Sequence, residues 1–80
     1  MRDYRVTNPG TGYVRVRLYP AHLRAFKATW PCSRLPVSRP LTFTFHRDTG
    51  DLTDIEGPYH DGPDMAALAQ EAQALAGLRR

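Results

Sequence analysis

Residues 41–56 decide the fold, and they read LTFTFHRDTGDLTDIE. In the first half, leucine and phenylalanine alternate with threonine, which is the two-residue period of a strand with one buried face. The segment Asp48–Asp51 predicts a tight turn, because Gly50 can adopt a positive φ. The stretch Leu52–Glu56 then returns as the partner strand, so the sequence predicts a β-hairpin.

The returning strand is expected to carry a bulge if both of its apolar residues are buried. Leu52 and Ile55 are three residues apart instead of two. Both can face the core only if the strand carries a bulge, which we place near Thr53 and Asp54.

An amphipathic helix is predicted after this hairpin. Asp61–Asp64 has the features of a helix start, with a capping side chain, a proline in the first turn and an acid three residues after the cap. The helix is expected to run from about Pro63 to Ala76 and to stop at Gly77. One apolar stripe should pack on the sheet, and it contains Met65, Leu68, Ala72 and Leu75.

A second hairpin is predicted near the N-terminus. Tyr4–Thr7 forms a short strand, and residues 8–12 are rich in turn formers. In the returning strand, one face is apolar and should point inward, whereas the other is aromatic and basic. The inward set is Val14, Val16 and Leu18, and the outward set is Tyr13, Arg15, Arg17 and Tyr19.

Residues 21–30 fit two periodicities. Apolar residues three and four positions apart suit a helix, whereas Phe26, Ala28 and Trp30 alternate with polar residues as in a strand. The β-branched and aromatic character of Thr29 and Trp30 favours a short turn followed by a strand, with the helix as the alternative.

Residues 31–40 contain three prolines, which remove backbone donors and predict a long connecting loop. This loop should present Arg34 and Arg39 to solvent.

Together these elements predict a single α+β domain over residues 1–80, with an antiparallel β-sheet of four to five strands in meander-like hairpins, packed by one C-terminal α-helix. It combines a basic N-terminal β part, residues 1–47, with a hairpin–helix unit, residues 41–78. Residues 1–47 hold nine Lys/Arg and one acid, a charge of +8, whereas the remainder holds two arginines and seven acids, a charge of −5. The basic half can attract phosphates or an acidic protein surface.

The sequence also predicts where in the cell the protein is located. The single cysteine, Cys32, cannot form an intrachain disulfide, and the chain does not start like a signal peptide. No apolar run approaches the ~20 residues that span a bilayer. The expected location is the cytoplasm, without membrane contact.

No residue set predicts catalysis, a metal or a cofactor. Cys32, His22, His46 and His60 lack the spacing of zinc sites, and the hairpin acids lack the pattern of a calcium loop. Asp48-Thr49-Gly50 matches the D-T-G of aspartic proteases, but its neighbours favour an ordinary turn. We therefore expect a non-enzymatic protein.

Binding is expected at the strand face formed by Tyr13, Arg15, Arg17 and Tyr19, together with Arg34 and Arg39 of the loop. Aromatic residues beside arginines can stack bases and hold phosphates. Tyrosine and arginine are also enriched in protein–protein hot spots. The residues alone leave both kinds of partner open.

Three stretches, Tyr4–Gly12, Gly50–Gly57 and Asp61–Pro63, resemble small orphan proteins of phages and prophages in high-GC bacteria. Among these, the chain is most similar to anti-CRISPR proteins directed at type I-C systems. The resemblance implies an inhibitor in the cytoplasm of the bacterial host that binds a Cas protein subunit of the surveillance complex, Cascade, and blocks recruitment of target DNA.

Many such inhibitors are acidic DNA mimics, whereas this chain is basic overall. Docking of the arginine face on an acidic Cas patch, or on the guide backbone, fits the charge better. The alternative function is a small nucleic-acid-binding module that uses the same face.

Overall fold

Residues 3–58 and 62–78, the part of the chain that the computed structural model describes, contain four strands and two helices. The elements are β1 (Tyr4–Thr7), β2 (Tyr13–Leu18), α1 (Pro20–Ala28), β3 (Leu41–His46), β4 (Leu52–Glu56) and α2 (Met65–Leu75). The strands form one antiparallel sheet in the order β1-β2-β3-β4. The predicted α+β class, with its four-stranded sheet and C-terminal helix, is confirmed.

The β3–β4 hairpin closes with the predicted tight turn. The His46 N–H donates to the Asp51 carbonyl at 2.8 Å, and the Gly50 N–H donates to the His46 carbonyl at 2.7 Å. Gly50 has a φ of 77°, in the left-handed region that a glycine adopts without a steric penalty. Asp48-Thr49-Gly50 is therefore part of a turn.

The predicted bulge in β4 is also confirmed. Phe45 pairs with Leu52, but Thr44 pairs with Asp54, so Thr53 is the extra residue. The bulge returns Ile55 to the core side, where it packs against the buried cluster. Leu52 stays 41% exposed because β4 is an edge strand.

The prediction of a turn and strand over residues 21–30 is wrong, because α1 occupies most of this segment. Pro20 fits the first helical turn, where its missing N–H is not needed. Leu23 and Phe26 are the buried residues of the helix. Trp30 lies beyond the helix and stacks on Phe26, with ring centroids 6.1 Å apart. The sheet is therefore packed by two helices instead of one.

Both helices pack on the same face of the sheet, since their buried residues belong to one apolar cluster. The cluster comprises Val16, Leu18, Leu23, Phe26, Leu35, Leu41, Phe43, Phe45, Met65, Leu68 and Ala72. The predicted inward face of β2 is confirmed, and so is the predicted apolar stripe of α2.

The proline-rich loop contributes to this core. Leu35 is fully buried, and its backbone is held from two sides. Its carbonyl accepts from Lys27 Nζ at 3.2 Å, and its N–H donates to Ser33 Oγ at 3.1 Å. Arg34 and Arg39 are exposed, as predicted.

Helix α2 begins at Met65, after the predicted start at Pro63. Asp64 occupies the N-cap position, but its side chain does not cap the helix. Its carboxylate instead accepts a hydrogen bond from Ser33 Oγ, which ties the loop to the helix start. Asp61, the predicted cap, lies outside the described residues.

The C-terminal end of α2 forms a Schellman motif around Gly77, whose φ is 77°. The Gly77 N–H donates to the Ala74 carbonyl at 3.0 Å, and the Leu78 N–H donates to the Gln73 carbonyl at 3.1 Å. The predicted stop at Gly77 is confirmed.

Replacing Gly77 by alanine should lower the free energy of unfolding by about 1 kcal/mol, because alanine is strained at a positive φ. Gly10→Ala is the matched control, since Gly10 has no positive φ and nothing lies within 4 Å of an added Cβ. Urea unfolding followed by circular dichroism measures both. An equal loss at the two positions would show that the Gly77 backbone conformation is not the cause.

Candidate binding face

The face of the sheet opposite both helices, here called the outer face, carries the polar residues of all four strands. Cross-strand pairing arranges them in three rows. These rows are Arg5–Arg17–Thr42–Glu56, Thr7–Arg15–Thr44–Asp54 and Tyr13–His46.

The charge of the outer face changes sign from one edge to the other. Its basic residues are on β1 and β2, its central strand contributes threonines, and its acidic residues, Asp54 and Glu56, are on β4. Across residues 3–58 and 62–78, the ion pair found within 4.0 Å is between His22 and Glu71, which belong to the two helices. Asp54 and Glu56 therefore form no ion pair within 4.0 Å with the arginines of β1 and β2, although Glu56 lines a hollow with Arg17.

Two threonines in the middle of the outer face are buried although no described helix packs on them. Thr42 is 5% exposed and Thr44 is 9% exposed. Arg17 Nε donates to Thr42 Oγ1 at 3.3 Å, so the arginine side chain lies along the sheet and shields it. This contact restrains Arg17, and a restrained arginine loses less conformational entropy on binding.

A small hollow between β1 and β2, here called the arginine hollow, gathers three arginines. It is lined by Arg5, Thr7, Arg15, Arg17 and Tyr19 and has a volume of about 210 Å³. Arg5 and Arg17 are direct cross-strand partners, an arrangement that is unfavourable for like charges. The Nε of Arg15 is buried without a hydrogen-bond partner among the described residues. The hollow is thus suited to an anion.

The remaining predicted site residues lie in three places. Arg39 lines a larger hollow of about 510 Å³ together with Arg17 and Glu56, so it lies beside an acid of β4 as well as an arginine of β2. Tyr13 lies at the opposite end of β2 from Arg17 and contacts His46 edge to face, with ring centroids 5.5 Å apart. Arg34 lines a separate hollow with Trp30, between the end of α1 and the start of α2. The structure therefore does not bring Arg34 to the outer face.

Sequence reasoning missed Arg5. The strand containing it was predicted, but nothing local places Arg5 beside Arg17, because that depends on the register of the β1–β2 hairpin. Pairing Tyr4 with Leu18 would have been the signal, since it puts Arg5 on the face of Arg15 and Arg17.

The titratable residues considered for catalysis lie in different surroundings. Cys32 is exposed beside the separate hollow that contains Arg34. His22 Nε2 is 2.9 Å from Glu71 Oε1, and His46 contacts Tyr13. The described ranges contain no group of three or more His, Cys, Asp or Glu residues placed to hold a metal ion. They also contain no helix long and apolar enough to cross a membrane.

No protein-family model matches the chain, and it matches no curated protein and no solved structure. Support for a function therefore comes from the geometry of the outer face and from the resemblance to anti-CRISPR proteins.

Proposed function

We propose that the protein is a non-enzymatic inhibitor that docks through its outer face on a Cas subunit of a type I-C Cascade complex, in the cytoplasm of a bacterial host, and blocks recruitment of target DNA. The observation that carries the binding role is the basic side of the outer face, on β1 and β2, on which neither described helix packs. The resemblance to anti-CRISPR proteins supplies the partner.

The sign change across the outer face favours a protein surface over a long nucleic acid. A polyanion that followed the arginines across the sheet would meet Asp54 and Glu56 on β4, which repel it. A protein can present an acidic patch to β1 and β2 and a basic patch to β4. Such complementarity increases the association rate and excludes wrong partners.

The tyrosines at the two ends of β2 also suit a protein interface. Tyr13 is 41% exposed, and Tyr19 lines the arginine hollow. Tyrosine provides a large contact area with few rotatable bonds, and with arginine it dominates interface hot spots. We expect Tyr13, Tyr19 and the arginines between them to contribute most of the binding energy.

Charge reversal tests this proposal. Arg17→Glu should weaken binding to purified type I-C Cascade by about 100-fold, because it places a carboxylate against an acidic patch and removes the bond to Thr42. Arg24→Glu makes the same change at an exposed position of α1, away from the outer face, and this variant should bind like the wild type. Co-elution in size-exclusion chromatography measures binding, and a gel shift of Cascade with target DNA measures inhibition.

Failure of the wild-type protein to co-elute would refute Cascade as the partner. A gel shift of a labelled single-stranded oligonucleotide then tests the nucleic-acid alternative. Binding that falls steeply with salt and is weakened by Arg17→Glu more than by Arg24→Glu would support that alternative, because each phosphate contact releases counterions.

A further inference from the structure

The arginine hollow brings together three cations for which the fold supplies no anion within the described residues. We propose that this hollow is a phosphate-binding site, in which the guanidinium groups of Arg5, Arg15 and Arg17 hold one phosphate group and the hydroxyls of Thr7 and Tyr19 complete its surroundings. The site does not depend on the identity of the protein partner.

The cross-strand pairing of Arg5 with Arg17, which carry like charges, is the first argument. Their direct pairing across β1 and β2 keeps the two side chains neighbours on the same face. Like charges at such positions destabilise a sheet unless a counterion lies between them. Neither Arg5 nor Arg17 has a carboxylate within 4.0 Å in residues 3–58 and 62–78. A bound anion would convert this repulsion into attraction.

The available donors are the second argument. Arg15 Nε is withdrawn from solvent and unpartnered among the described residues, a state that is unfavourable for a charged donor until an acceptor arrives. Arg17 is restrained by its bond to Thr42 and lines the hollow. Arg5 is exposed and lines the hollow. The hollow therefore combines a restrained donor, a desolvated donor and an accessible donor.

The number of charges selects phosphate over a single carboxylate. A phosphate monoester offers three acceptor oxygens and a charge between about −1.5 and −2, whereas a carboxylate offers two oxygens and one charge. Arginine forms paired hydrogen bonds with phosphate oxygens. At about 210 Å³, the hollow is a compact site, consistent with one group rather than a long strand.

Titration with inorganic phosphate tests the site, using NMR signals of the arginine Nε–H groups and the backbone amides at constant ionic strength set by sodium chloride. We expect saturable shifts confined to the arginine hollow. Arg5→Gln should weaken phosphate binding about 10-fold, the value of one charge-assisted hydrogen bond. Thr7→Val, which suits a strand, should weaken it about threefold. Arg24→Gln, the matched change at an exposed position of α1, should leave phosphate binding unchanged.

Two oligonucleotide arms distinguish the sources of phosphate. If a thymidine tetranucleotide binds only with a 5′-phosphate, the site takes a monoester. If it binds equally without one, the site takes a backbone phosphodiester, as in a nucleic acid. Either result supports the phosphate site. Shifts that never saturate, equal weakening by Arg24→Gln, or tighter binding of the peptide Glu-Thr-Glu at the same residues would overturn it.

This test and the Cascade test fail independently. A protein that binds phosphate in the hollow but does not co-elute with Cascade keeps the site and loses the proposed partner. A protein that co-elutes with Cascade but does not bind phosphate loses the site alone.

Discussion

Replacing Phe43 by alanine should lower the free energy of unfolding by about 3 to 5 kcal/mol. Phe43 is fully buried at the centre of the sheet. Val16 is its partner on β2 and Ile55 is its partner on β4, so the ring is packed from both sides. It also stacks on Phe45 with ring centroids 6.5 Å apart. Truncation removes this apolar area and leaves a cavity.

A chain of 80 residues has a total stability of about 4 to 12 kcal/mol, so this loss should leave much of the variant unfolded. Urea unfolding followed by circular dichroism measures it. Leu52→Ala is the control, because Leu52 is 41% exposed and should lose less than about 1 kcal/mol. A loss at Leu52 as large as that at Phe43 would contradict the assignment of the core.

Replacing Leu35 by alanine should lower the free energy of unfolding by about 2 to 5 kcal/mol, although Leu35 lies in an irregular loop. Its side chain is fully buried in the apolar cluster, and its backbone is bonded to Lys27 and Ser33. Because Ser33 also bonds to Asp64, the loop connects α1 to the start of α2. Removal of the Leu35 side chain should therefore loosen the packing of both helices on the sheet.

The same unfolding measurement tests Leu35→Ala against its exposed neighbour, Arg34→Ala, which should change stability by less than about 0.5 kcal/mol. Limited proteolysis adds a local readout, since a released loop with three prolines should be cleaved faster in the Leu35 variant. Wild-type stability for that variant would mean that residues 31–40 are a simple connector.

If the outer face binds the partner as proposed, the two faces of the sheet separate stability from binding. Substitutions at Phe43 or Leu35 act through the apolar cluster. Arg5 and Arg17 are exposed on the opposite face, so their replacement should leave the fold intact. A loss of binding by an outer-face variant can therefore be attributed to the face itself once its unfolding curve matches that of the wild type.

Much of the candidate site could be predicted from the alternation in β2. Arg15 and Arg17 lie outward and Val16 lies inward, as the two-residue period requires. The grouping of the arginines could not be predicted. Arg5 lies beside Arg17 only because of the register of the β1–β2 hairpin. Arg39 shares a hollow with Arg17 only because of the path that the proline-rich loop takes in the folded chain.

Segment 20–28 shows why local pattern was insufficient elsewhere. Its apolar residues suit either period, and the β-branched and aromatic residues at its end, Thr29 and Trp30, lie outside the helix. The helix is favoured because it buries Leu23 and Phe26 on a sheet that already has its four strands. Tertiary burial outweighs intrinsic preference in such short segments.

The sequence by itself determined the features that neighbouring residues encode: the β3–β4 hairpin with its turn at Gly50, the bulge at Thr53 and the helix stop at Gly77. In each, the deciding interaction joins residues close in the chain. Only the tertiary structure decided that residues 20–28 form a helix, that Leu35 is buried and that Arg5 lies opposite Arg17. These depend on packing and register between distant segments, which no local pattern specifies.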